Sequence, residues 1–177
     1  MSEKIDKNSP NNETLLKEEN KEDSLPIKIS LYLINTIYNN SLKNDYFKKV
    51  QLQKKSIYTS KFPPKISIGD FIRRIIRYGK VNQSTLICAL IYLKRICKKK
   101  DIILTDYNTH RLFFTAILIA IKLNEDNFKS NQFFSKLCGI KLKDLNSMEY
   151  NFMVDLSFDL FIHKSIFKCL EKNLLLA

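Results

Sequence analysis

His110-Arg111-Leu112-Phe113-Phe114-Thr115-Ala116-Ile117-Leu118-Ile119-Ala120-Ile121-Lys122-Leu123 is the stretch whose reading decides the fold. Its middle, Leu112 to Ile121, carries no charge and is bracketed by Arg111 and Lys122. So short an apolar run cannot cross a bilayer, which takes about 20 residues. It contains no Gly or Pro, and Ala116 and Ala120 sit one helical turn apart. The pattern predicts a helix that is apolar all round, buried on every side at the centre of an α-helical domain. The two alanines let neighbouring helices approach closely. Lys122 is the exception: ending so apolar a helix, it either snorkels to water or meets an acidic partner.

Working outward, the 177 residues support one ordinary domain and a tail. Three Gly and four Pro argue against a β-sandwich or a Gly-rich nucleotide loop and favour helices. Cys88, Cys97, Cys138 and Cys169 are scattered without a C-x-x-C pair, and only two histidines occur, so neither a metal nor a cofactor is expected. Cys88 and Cys138 fall among apolar neighbours and read as small core residues. Met1 to Asn20 is polar throughout, unlike a signal peptide, and an intracellular setting, cytoplasm or nucleus, is expected. The net charge of +12 invites a nucleic-acid reading. Lysine and asparagine are abundant along the whole chain, however, so a solvated basic surface is the preferred account of the charge.

Residues 1–25 hold four Lys against seven Asp or Glu, and few side chains there could be buried. This predicts a disordered acidic tail over 1–26. Apolar residues return from Ile27 to Tyr58, where Ile34, Ile37 and Tyr38 have helical spacing and Asn39-Asn40-Ser41 reads as a break. One or two amphipathic helices are expected there. Phe62-Pro63-Pro64 stops them. Ser67 caps the next helix in capping-box style with Asp70, and it ends at Gly79. Phe71, Ile72, Ile75, Ile76 and Tyr78 make its apolar face, while Arg73, Arg74 and Arg77 face solvent. A second helix runs from Gln83 or Ser84 to about Cys97, closed by Lys98-Lys99-Lys100. Thr105 or Asp106 is expected to cap the central helix, which ends near Asn124. A short helix over Asn131 to Leu137, a turn at Cys138-Gly139, a fifth helix over Lys143 to Ser157 and a last one from Leu160 complete an all-α bundle.

Laid out this way, Phe62 to Leu160 resembles a cyclin box, in particular that of the P/U-type cyclins. The resemblance rests on blocks in order: Ile66-Ser67-Ile68-Gly69-Asp70-Phe71-Ile72-Arg73-Arg74-Ile75, Ala89-Leu90-Ile91-Tyr92-Leu93-Lys94-Arg95, Asn108-Thr109-His110-Arg111-Leu112 and Ala120-Ile121-Lys122-Leu123-Asn124-Glu125-Asp126. Asn131, Cys138-Gly139-Ile140 and Leu145-Asn146-Ser147-Met148-Glu149 follow in register. It implies a single five-helix box over 61–160, flanked by N-terminal helices over 27–60 and a C-terminal helix over 161–177. It also implies a non-catalytic subunit that forms a heterodimer with a cyclin-dependent protein kinase and holds the kinase's mobile C-helix in its active position. The resemblance places the kinase grip on Lys122 and Glu149, ringed by apolar contacts at Ile119, Leu123, Met153, Phe158 and Leu160. Two departures stand out. Lys65 and Lys94 occupy places where many cyclins carry an internal Arg–Asp pair, and Pro64-Lys65-Ile66-Ser67-Ile68 replaces the substrate-docking patch of mitotic cyclins.

On the residues alone, Lys122 and Glu149 also read as an ordinary snorkelling lysine and an exposed helical glutamate. A different reading is a basic helical nucleic-acid module of a transcription factor sharing this fold, built on Arg73, Arg74, Arg77 and Lys98 to Lys100. No G-x-x-x-x-G-K, G-x-S-x-G or H-E-x-x-H occurs, and His110 and His163 lack a nucleophile at a readable spacing, so catalysis is not expected. No membrane span is expected either.

Overall fold

The central helix, α5, spans Thr109–Asn124, and each residue from Leu112 to Ile121 is buried in it. Around it, a computed structural model describes residues 24–176, the side chains of 175 and 176 excepted, and every regular element among them is helical. In chain order the others are α1 (Ser24–Ser41), α2 (Tyr46–Gln53), α3 (Ile68–Gly79), α4 (Gln83–Lys99), α6 (Asn131–Cys138), α7 (Leu142–Asp155) and α8 (Lys164–Leu176). The segment expected to be a disordered tail lies outside the described residues up to position 23. The first helix begins at Ser24, inside the stretch assigned to that tail, and buries Leu25 and Pro26.

Packing follows from which faces are apolar. α4 lies along α5 over the longest shared surface, with Leu86, Leu90 and Leu93 turned fully inward and Ala116 and Ala120 of α5 wholly enclosed. α7 closes another side through Leu145, Met148 and Phe152, three and four residues apart on one helical face. Phe114 of α5 is edge-on to Phe71 of α3 at 6.1 Å and tilted against Phe134 of α6 at 6.0 Å, joining three helices through stacked rings. α1 rests on α3 and α8, and α8 on α4, so the flanking helices cover one side of the box.

Helix ends show why the boundaries fall where they do. Ser67 Oγ accepts the Asp70 amide at 3.1 Å and donates to the Asp70 carboxylate at 2.6 Å, the cap expected for α3. Ser67→Ala should therefore lower the unfolding free energy by about 1 kcal/mol, read from the denaturant midpoint, with helical content unchanged. Gly139 ends α6 at φ 65°, where a β-carbon would be strained.

Three expectations are corrected and one is refined. α5 begins at Thr109, later than Thr105 or Asp106 predicts, because residues 105–108 close on themselves: the Asn108 side chain accepts the Thr105 amide at 2.9 Å and donates to the Ile103 carbonyl. The Asn39-Asn40-Ser41 break falls at its last residue, where α1 ends, and Asn40, still helical, is buried and donates to the Leu104 carbonyl at 3.1 Å. Ile34, Tyr38 and, on α3, Tyr78 face solvent; α1 carries two apolar stripes, and the core takes Leu25, Ile29 and Leu33. The last helix starts at Lys164 rather than Leu160. Residues 156–163 form an irregular turn in which Ser157 and Phe158 both have φ 56°.

His110, at the first turn of α5, packs its ring 5.2 Å from Phe71, with Nε2 3.0 Å from the Ile66 carbonyl. Burial pushes its pKa below the ordinary value of 6.5, against the opposing pull of that carbonyl and of Asp106. The folded state thus resists protonation more than the unfolded chain does. The resulting stability is complete above pH 6.5 and is lost as pH falls below it. Denaturant unfolding at pH 7.5 and 5.5 should show a larger loss for the wild type than for His110→Gln; equal losses would show that His110 is not the titrating group.

Candidate functional site

The C-terminal turn of α5 and the middle of α7 stand side by side, and each carries one charge toward the other. Lys122 Nζ lies 2.5 Å from Glu149 Oε1, with the lysine side chain 31% exposed and the glutamate 12%. Lys122 is lifted out of the core by its place in the last turn of a helix enclosed from Leu112 to Ile121, where a cation also suits the helix dipole. It meets an acidic partner rather than snorkelling alone. Glu149 is held from its other side: Asn131, at the start of α6, donates to Glu149 Oε2 at 2.7 Å and to Asn146 Oδ1 at 2.8 Å. Asn131 Oδ1 is buried and has no hydrogen-bond partner among the described residues. The end of α5, the start of α6 and the middle of α7 therefore converge on one half-buried ionic centre.

Beside this centre, Leu123 and Leu160 line a single groove of about 610 Å³, walled also by Cys88 and Tyr92 of α4 and by Phe161 and Phe167. Leu123 is 53% exposed. Met153, one turn beyond Glu149 on α7, is partly buried and packs on the core, and its carbonyl accepts the Phe158 amide at 2.9 Å. Phe158 itself is exposed. Ile119 does not join them at the surface: it is 2% exposed, since the residue one turn before Lys122 on an all-round buried helix points into the core. It is enclosed within the core rather than part of the exposed surface.

Sequence reasoning missed the side chains that hold this surface in place. Tyr92 donates its hydroxyl to the Leu160 carbonyl at 2.8 Å, and burial pushes its pKa up to about 12, so it stays a donor. Arg95 donates to the Asp159 carbonyl at 3.1 Å and the Phe161 carbonyl at 2.7 Å. These bonds fix the irregular turn that presents Leu160. Glu125 accepts the Asn82 amide at 3.0 Å and the Thr85 hydroxyl at 2.6 Å, tying the exit of α5 to the start of α4. No spacing rule finds such pairs, because their members lie 40 or more residues apart. Lys94, where an internal ion pair is absent, sits over the Tyr32 ring at 5.3 Å instead.

The basic clusters fall apart in space. Arg73, Arg74 and Arg77 line a groove at the start of α4, whereas Lys98 to Lys100 sit at its far end, about 24 Å along the helix. Lys99 and Lys100 are engaged there by Ser157 at 2.8 Å and Asp155 at 3.0 Å. Among the described residues no helix is long and apolar enough to cross a membrane.

Comparison with known proteins bears on the same segment. The family model described as Cyclin matches residues 4–160. Cyclin-U4-3 of Arabidopsis thaliana is 34% identical over 118 residues, covering 66% of this chain and 54% of the relative. Cyclin-P4-1 of Oryza sativa subsp. japonica is 34% identical over 105 residues, 59% of this chain and 50% of its own length. Cyclin-U2-1 of Arabidopsis thaliana is 36% identical over 108 residues, 59% and 48% respectively. The chain spans about half the length of these curated relatives.

Proposed function

The chain belongs to the cyclin family, of the P/U type, and from that membership we propose that it is a non-catalytic regulatory subunit that binds and activates a cyclin-dependent protein kinase. The observation that carries this reading is the partly exposed Lys122–Glu149 pair joining the end of α5 to α7, with Leu123, the residue after Lys122, lining an apolar groove. A protein kinase is active only when its strand lysine pairs with the glutamate of its C-helix. That helix can swing, so a partner that binds only the inward position shifts the population toward it. Moving a 1:99 mixture to 99:1 requires about 5.5 kcal/mol of differential binding, within reach of an apolar groove plus two charge-assisted hydrogen bonds.

The pairing of Lys122 with Glu149 is compatible with that role. An ammonium has three donors and Glu149 uses one, which leaves two for a partner's backbone carbonyls. The carboxylate likewise keeps lone pairs beyond those taken by Lys122 and Asn131. Each group thus holds the other in place before the partner arrives, which lowers the entropy lost on binding. Leu123, Met153, Phe158 and Leu160 would surround the grip with apolar area. The decisive trial is co-purification with candidate cyclin-dependent kinases, followed by an assay of kinase activity. Activation of one kinase by the purified chain is the expected result; no association with any of them would remove the proposal. The two distant basic clusters favour this reading over a nucleic-acid module, for which binding to duplex DNA with a steep salt dependence would be the signature.

A further inference from the structure

None of the residues assigned to the kinase grip lines a groove of about 760 Å³ between the start of α1, α3 and the start of α4. Pro26 forms part of its wall, and Arg73, Arg74, Arg77 and Lys80 line it together with Asp70. Asp70 is already committed: its carboxylate pairs with Arg73 and accepts the Ser67 hydroxyl, which together hold its pKa below the usual carboxylate range. Arg77 lies 5.7 Å from the Tyr78 ring centre. Arg74, Arg77 and Lys80 form no ion pair among the described residues. Three unneutralised cations on one concave surface focus a positive field into it.

The sequence just before α1 carries the opposite charge. Glu18-Glu19-Asn20-Lys21-Glu22-Asp23 holds four carboxylates against one ammonium and joins α1 at Ser24. Asp23 precedes the groove-wall residue Pro26 by three positions, so at most about 11 Å of chain separates them. We propose that this acidic segment docks in the arginine groove of its own chain. Exposed ion pairs are individually weak. A short tether, however, presents the segment at an effective concentration of about millimolar, so weak pairing suffices to keep the groove covered. The contact is electrostatic and screened, and is lost at high salt.

The test is the backbone dynamics of residues 18–23 in the full chain, read by amide chemical shifts and heteronuclear NOEs. At low salt these amides should tumble with the domain, and that ordering should be lost at high salt and in R74E/R77E. It should also be lost when the segment is reversed as E18R/E19R/E22R/D23R, and be restored when both sets are combined. Amides at 18–23 that move independently of the domain in the wild type at low salt would overturn the proposal. So would ordering that persists in R74E/R77E, which would put the segment elsewhere, or ordering that grows with protein concentration, which would put it on a second copy.

Discussion

If the proposed kinase partner is bound, Lys122→Ala and Glu149→Ala are each expected to weaken that association by roughly ten- to a hundredfold, the loss of one charge-assisted bond worth about 1.5–3 kcal/mol. The two losses should not add. Lys122 and Glu149 hold each other in place, so removing either already disorders the other, and the double variant should lose less than the product of the two effects. The variants should differ in what they do to the free protein. Lys122→Ala leaves a carboxylate that is 12% exposed with Asn131 as its remaining partner, whereas Glu149→Ala leaves a lysine that is 31% exposed and able to turn to water. Lys122→Ala is therefore expected to lower the unfolding free energy more than Glu149→Ala. Affinity from titration and stability from denaturant unfolding separate these effects. Unchanged affinity in both single variants would remove the assigned grip while leaving the fold untouched.

Phe114→Ala should have the largest effect on stability, about 3–5 kcal/mol from lost transfer energy and the cavity left behind. Phe114 is fully buried, and its ring meets Phe71 and Phe134, so its removal loosens α3 and α6 from α5 at once. A domain of this size has about 5–15 kcal/mol in total, so the variant is expected to unfold at a much lower denaturant midpoint. Phe114→Leu, which keeps most of the volume, should cost less. A loss below about 1 kcal/mol for Phe114→Ala would mean that the three-helix contact collapses freely around the missing ring.

What could be read without coordinates was set by short-range chemistry. The uninterrupted apolar run from Leu112 to Ile121 could only be a helix enclosed on all sides, and it is. Ser67 with Asp70, and Gly139 after Cys138, are signals confined to one helical turn, and both mark helix ends in the structure. The cyclin resemblance was legible for the same reason, since its blocks are local runs in order. Where a side chain had two uses, spacing could not choose: α1 has helical apolar stripes on two faces, and only packing on α3 and α8 decided that Leu25, Ile29 and Leu33 go inside.

By itself, then, the chain's order of residues determined an all-helical box around α5 and put a lysine at the end of that helix and a glutamate on a later one. Tertiary structure alone decided that Lys122 meets Glu149, that Asn131 steadies the pair, and that Ile119 is withdrawn from the surface. It alone decided too that Tyr92 and Arg95 hold the turn carrying Leu160. The physical reason is the reach of each interaction. Helix formation and capping act between residues a few positions apart and leave a periodic trace, whereas ion pairs and carbonyl bonds join atoms that the chain brings together only after its apolar faces have been buried.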